Sequence, residues 1–66
     1  MGNQDDSADL LLAEYEAALA QERSEWRAVQ NATLGAAERL AAYARWRAAA
    51  DRVIVLAGKL RDARAG

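Results

Sequence analysis

Asn31-Ala32-Thr33-Leu34-Gly35 is the stretch that decides the fold of this chain. Everything on either side of it favours helix. Within it, Asn and Thr offer the backbone competing hydrogen bonds, and Gly loses the most freedom on becoming helical. Connections between packed helices are commonly this short. The stretch therefore predicts a turn at 33–35, within a weak region at about 32–36, with Thr33 or Gly35 capping the helix that follows.

Upstream of the turn, Leu12, Tyr15, Leu19, Trp26 and Val29 recur at steps of three and four, and Glu22 interrupts the row. Such spacing places them on one face of a helix. Downstream, Leu40, Tyr43, Ala50, Ile54 and Ala57 repeat the pattern, interrupted by Arg47 and ending at Arg61. The expected organisation is a single helical-hairpin domain over 1–66, with a disordered tail at 1–6, a first helix at 7–32 and a second at 36–63. Asp6 or Ser7 is the expected first cap, and Asp9 suits the positive end of the helix dipole. Gly58 leaves open an earlier stop for the second helix.

Folding at the turn sets Leu12 against Ala57, Tyr15 against Ile54, Leu19 against Ala50, Trp26 against Tyr43 and Val29 against Leu40. It also sets Glu22 against Arg47, so that the two interruptions answer each other. Charge favours the same pairing. Residues 1–33 hold seven acids and two bases, residues 34–66 three acids and seven bases. The acidic and basic halves attract, although exposed pairs contribute only about 0–1 kcal/mol each.

A second apolar row is left over. Trp46, Ala49, Val53, Leu56 and Leu60 follow helical spacing to one side of the expected seam, with Leu11 and Ala18 beside them on the first helix. These seven residues are the expected partner or dimer interface. Apolar surface stabilises by about 25 cal/mol per Å² on burial, and a small chain has little else to draw on. The fold class expected is all-α: a two-helix antiparallel hairpin, dimerising into a four-helix bundle with Trp46 near its centre. The partner is the chain itself or another protein.

Composition narrows the function classes. The 66 residues contain no Cys, His or Pro. Disulfides and thiolate sites are excluded, and the commonest metal ligand and catalytic base is missing. Of 35 apolar residues 18 are Ala, which forms helix well and buries little. Ser7 and Ser24 have no base to activate them. Glu22 and Glu25 read as a solvated or pairing face. No glycine loop for phosphate and no secretory n-region is present. The expectation is a non-enzymatic protein with no cofactor, metal or small-molecule substrate, located in the cytoplasm. Abundant Ala and Arg beside a single Lys suggest a GC-rich bacterial or phage genome.

One other function class has residues to support it. Arg45, Arg52 and Lys59 repeat every seven residues, and Arg39 adds to the basic second helix. Such a row can follow phosphates, which makes a small dimeric RNA- or DNA-associated regulator the alternative. The formal net charge of −1 and the neighbouring acidic helix weigh against it. In architecture alone, without a shared motif, the hairpin resembles small plasmid-encoded RNA-binding hairpins and helical phage head–tail connectors. The Trp-x-Gly turn of the helix-turn-helix tryptophan proteins of bacterial secretion is replaced here by Thr33-Leu34-Gly35.

Overall fold

The computed structural model describes residues 3–65, with side-chain surroundings from residue 8 onward. Two helices account for nearly all of it: α1 at Asn3–Val29 and α2 at Ala36–Ala65. No strand occurs among the described residues. The molecule measures 53 × 14 × 11 Å, a slab one helix thick and two helices wide.

The turn forms where the sequence places it, and its bonds are local. The Asn31 Oδ1 accepts from the Thr33 backbone N–H at 3.0 Å and from the Thr33 hydroxyl at 2.7 Å. That side-chain turn competes with the helix ladder and ends α1 at Val29, three residues before the expected end at 32. The N-cap of α2 is Gly35 rather than Thr33. Its carbonyl accepts from the Arg39 backbone N–H at 2.9 Å, and its own N–H donates to Glu38 Oε1 at 3.0 Å. The Glu38 contact is half of a capping box. Arg39 clasps the other side, donating to the Val29 carbonyl at 2.8 Å and the Asn31 carbonyl at 3.3 Å. A cation there satisfies the last carbonyls of α1 and suits the negative end of its dipole.

Two boundary expectations are corrected. Residues 3–6 are helical, so the tail does not extend that far, and Asp6 and Ser7 lie inside α1 rather than capping it. Residues 1 and 2 lie outside the described residues. The acids at Asp5, Asp6 and Asp9 favour an early start because they sit toward the positive end of the dipole. At the other end α2 runs straight through Gly58 to Ala65.

The helices lie antiparallel. Glu14 reaches Arg52, Glu22 reaches Trp46, Glu25 reaches Arg45 and Val29 reaches Arg39, a steady exchange along the length. The residues of the α1 seam row are Ala8, Leu11, Tyr15, Ala18, Glu22, Glu25 and Val29, all buried or half-buried, with Leu19 and Ala28 half-buried beside them. The α2 seam row is Ala42, Trp46, Ala49, Val53, Leu56 and Leu60. The axial alignment matches the expectation, with Leu12 and Ala57 lining one groove. The rotation does not. The whole α2 row is displaced by one residue from Leu40-Tyr43-Arg47-Ala50-Ile54-Ala57-Arg61, which turns the helix by about 100°.

The physical reason is charge. α2 carries two apolar rows one residue apart, and only the observed one is free of arginine between Ala42 and Leu60. Burying the other would draw Arg47 and Arg61 from water. Glu22 therefore does not answer Arg47. It accepts from the Trp46 indole Nε1 at 2.6 Å, and Arg47 lies beside Asp51 on its own helix at 3.9 Å. Small residues at Ala18, Ala42 and Ala49 let the backbones approach around Trp46.

A candidate interaction surface

The seam creates two flanks of opposite chemistry. One residue beyond Leu11, Ala18 and Glu25 stand Leu12, Leu19 and Trp26; one beyond Ala42, Ala49 and Leu56 stand Tyr43, Ala50 and Ala57. The antiparallel arrangement brings these two sets to the same side. At the open end of the hairpin, Leu12, Tyr15, Ala57 and Leu60 line a shallow groove edged by Arg61 and Arg64. Nearer the turn, Trp46 stacks at a tilt against Trp26, with ring centroids 4.9 Å apart, and against Tyr43 at 5.3 Å. Leu40 and Ile54 carry the apolar surface outward on α2. They are 74% and 68% exposed, so almost nothing in the hairpin covers them.

The opposite flank is one residue before the seam: Glu14, Gln21 and Ala28 against Arg45, Arg52 and Lys59. Arg52 stands 3.8 Å from Glu14, and Arg45 3.6 Å from Glu25. Between these pairs a groove is lined by Ala17, Ala18, Gln21 and Ala49. Gln21 donates to Glu25 Oε2 at 2.7 Å, which holds that carboxylate toward Arg45.

The seven expected interface residues are thereby relocated. Ala18 and Leu56 are buried, and Leu11, Trp46, Ala49, Val53 and Leu60 are half-buried, all along the seam inside the hairpin. They are not the side stripe expected of them. The residues expected to zip the hairpin, Leu12, Trp26, Leu40, Tyr43 and Ile54, are the exposed ones. On α2 the expected interface row has replaced most of the expected core row, while on α1 Tyr15, Glu22 and Val29 keep their expected place in the seam. The signal that distinguishes the α2 rows is the absence of charge in the Trp46 row.

The four candidate nucleic-acid contacts are separated in role. Arg39 is engaged at the turn, Arg45 and Arg52 face acids of α1, and Lys59 is exposed. Among the described residues, no three acidic side chains gather as a metal site, and no helix is long and apolar enough to cross a membrane. No family model, curated protein or solved structure matches the chain.

Proposed function

We propose that this chain is a non-enzymatic interaction module that packs the helices of a protein partner onto the flank formed by Leu12, Leu19 and Trp26 with Tyr43, Ala50 and Ala57, extended by Leu40 and Ile54. A four-helix bundle is the arrangement that buries this flank most fully. The observation that carries the reading is the asymmetry of the hairpin. Leu40 at 74% and Ile54 at 68% exposure stand beside a half-open aromatic trio. On the other flank Leu10 at 67% and Val55 at 54% are exposed too, but they border the Glu14–Arg52 and Glu25–Arg45 pairs rather than an aromatic cluster. Contiguous exposed apolar surface of this kind marks protein association.

The test is the double variant Leu40→Gln, Ile54→Gln, compared with the unmodified chain. Both side chains are exposed, so helicity and unfolding midpoint at low concentration are expected to stay within about 0.5 kcal/mol of the original. Association with itself, or with proteins of its host in affinity capture, is expected to fall at least tenfold. An unchanged set of partners at unchanged affinity would end this reading. A gel shift with RNA or DNA at low salt, lost on changing Arg45 and Arg52, would favour the basic flank instead.

A further inference from the structure

This inference rests on the packing role of the apolar flank and names its occupant. We propose that a second copy of the chain covers it, turned end for end about a two-fold axis that passes between Leu19 and Ala50. In this arrangement α1 lies antiparallel on α1 of the second copy, α2 on α2, and the two turns sit at opposite ends of the bundle.

Area is the first argument. The hairpin exposes 5042 Å² for 7.2 kDa. A compact folded monomer of that mass exposes about 4,100 Å², so the excess is about 900 Å². A standard interface removes about 800 Å² from each partner. The deficit of this chain is thus the size of one symmetric contact. Among the described residues the largest buried side chain is Leu56, and the other buried ones are Ala18, Ala42 and Val29. A slab with so thin a core lacks the second layer that domains require.

Charge is the second argument, and it identifies the copy and its direction. Glu14, Glu25 and Glu22 are already partnered within the hairpin by Arg52, Arg45 and Trp46. The charges beside the apolar flank that reach no partner on the other helix are Asp9, Glu16 and Arg23 on α1 and Arg47 and Arg61 on α2, with Arg47 3.9 Å from Asp51 of its own helix. Reversing α1 on itself about Leu19 sets Glu16 against Arg23 of the second copy, and the symmetry makes that pair twice. The same operation sets Leu12 against Trp26 and Leu19 against itself. On α2 it sets Tyr43 against Ala57, Ala50 against itself, and the stems of Arg47 and Arg61 over Ile54 and Leu40. Large residues meet small ones on α2, and no like charges meet. The other two-fold arrangement, with the turns together, places α1 on α2 of the second copy. It opposes Arg23 to Arg47 while bringing Asp9 to Arg61, so its charges cancel where those of the end-for-end arrangement attract. Self-matching of one row under one rotation is what an isologous contact requires.

The experiment combines mass, distance and charge reversal. Light scattering from about 1 µM to about 1 mM should show a rise from one chain to two and no further. The chain has no Cys, so Ala32→Cys in the exposed turn gives one spin label per chain. With a rise of 1.5 Å per residue, the two labels should lie about 40 Å apart. With the turns together they would lie within about 25 Å, two helix spacings and the label arms. Glu16→Arg and Arg23→Glu should each weaken the dimer roughly tenfold, two exposed pairs being lost and two repulsions gained. The double reversal should restore affinity to within about threefold of the original.

A strict monomer at 1 mM, whose capture of another protein is sensitive to Leu40→Gln, Ile54→Gln, would overturn the second copy and leave the packing role standing. A dimer with close turns, or one in which the double reversal gives no rescue, would overturn the arrangement. Insensitivity of every association to Leu40→Gln, Ile54→Gln would overturn the packing role itself.

Discussion

The two flanks of this hairpin share one backbone geometry and one heptad spacing, yet one is lined by Leu12, Leu19, Trp26 and Tyr43 and the other by Glu14, Gln21, Arg45 and Arg52. On the charged flank the side chains find partners inside the molecule, at 3.6 and 3.8 Å. On the apolar flank they find partners only near Trp46, and Leu40 and Ile54 find almost none. The difference teaches that the exposed ion pairs fit the way the hairpin closes but add little stability. The apolar flank holds hydrophobic free energy that folding of one chain leaves unused. Trp46 lies between the two regimes, stacked on the apolar side and donating to Glu22 within the seam.

The sharpest way to break this comparison is to remove the residue that joins its two halves. Trp46→Ala deletes the tilted contacts with Trp26 and Tyr43 and leaves the Glu22 carboxylate without its indole donor. Burial losses of this kind cost about 3–5 kcal/mol in a full core, and about 3 kcal/mol is expected at this half-buried site. Small domains hold only about 0.05–0.15 kcal/mol per residue, about 3–10 kcal/mol for this chain, so the loss removes from about a third to nearly all of its stability. Thermal melts followed by circular dichroism should show a large drop in midpoint. A fully helical variant with an unchanged midpoint would show that Trp46 does not belong to the seam.

The next two substitutions set one flank directly against the other. Trp26→Ala removes a 38% exposed ring that packs on Trp46, and about 1–2 kcal/mol of stability should go with it. Arg52→Ala removes an exposed cation facing Glu14, and urea titration should register no more than about 0.5 kcal/mol. Raising salt to about 1 M should shrink the second effect and leave the first unchanged, because the screening length there falls to about 3 Å, below the Arg52–Glu14 separation, and apolar contacts are not screened. Equal losses at both positions would remove the distinction between the flanks.

How far the sequence could be read follows from the range of the forces involved. The turn was legible because its causes lie within five residues: the Asn31 carboxamide, the Thr33 hydroxyl and the Gly35 cap. The pairing level of the two helices was legible for a related reason, since a short turn leaves little freedom in how the strands of helix align. Rotation about the helix axis was not. α2 offers two rows a single residue apart, and matching Glu22 with Arg47 made the wrong one attractive. What decides between them is the desolvation of Arg47 and Arg61, together with an indole N–H that needs a carboxylate 24 positions away. Both are properties of the packed pair. The candidate site inherited the error: once α2 rotated, the expected interface row turned inward and Leu40, Tyr43 and Ile54 of the expected core row became exposed, while Tyr15 and Val29 of α1 stayed in the seam.

The smallest expected effect lies where neither flank reaches, at the cap of α2. Glu38 already accepts from the Gly35 N–H, but glycine has no side-chain oxygen to return the bond to the Glu38 N–H. Gly35 does not have a positive φ, so a side chain meets no backbone penalty there. An added Cβ would approach only Glu38 Oε1, at 3.3 Å, the far end of a side chain that can yield. Gly35→Ser therefore completes the capping box. Serine exceeds glycine at this position by only a few tenths of a kcal/mol. The gain should appear as a small rise in thermal midpoint, independent of salt and of Arg52→Ala, because the cap and the ion pairs share no partner. A loss on this substitution would mean that Glu38 cannot give way, and that the turn, rather than either flank, sets the tolerance of the hairpin to change.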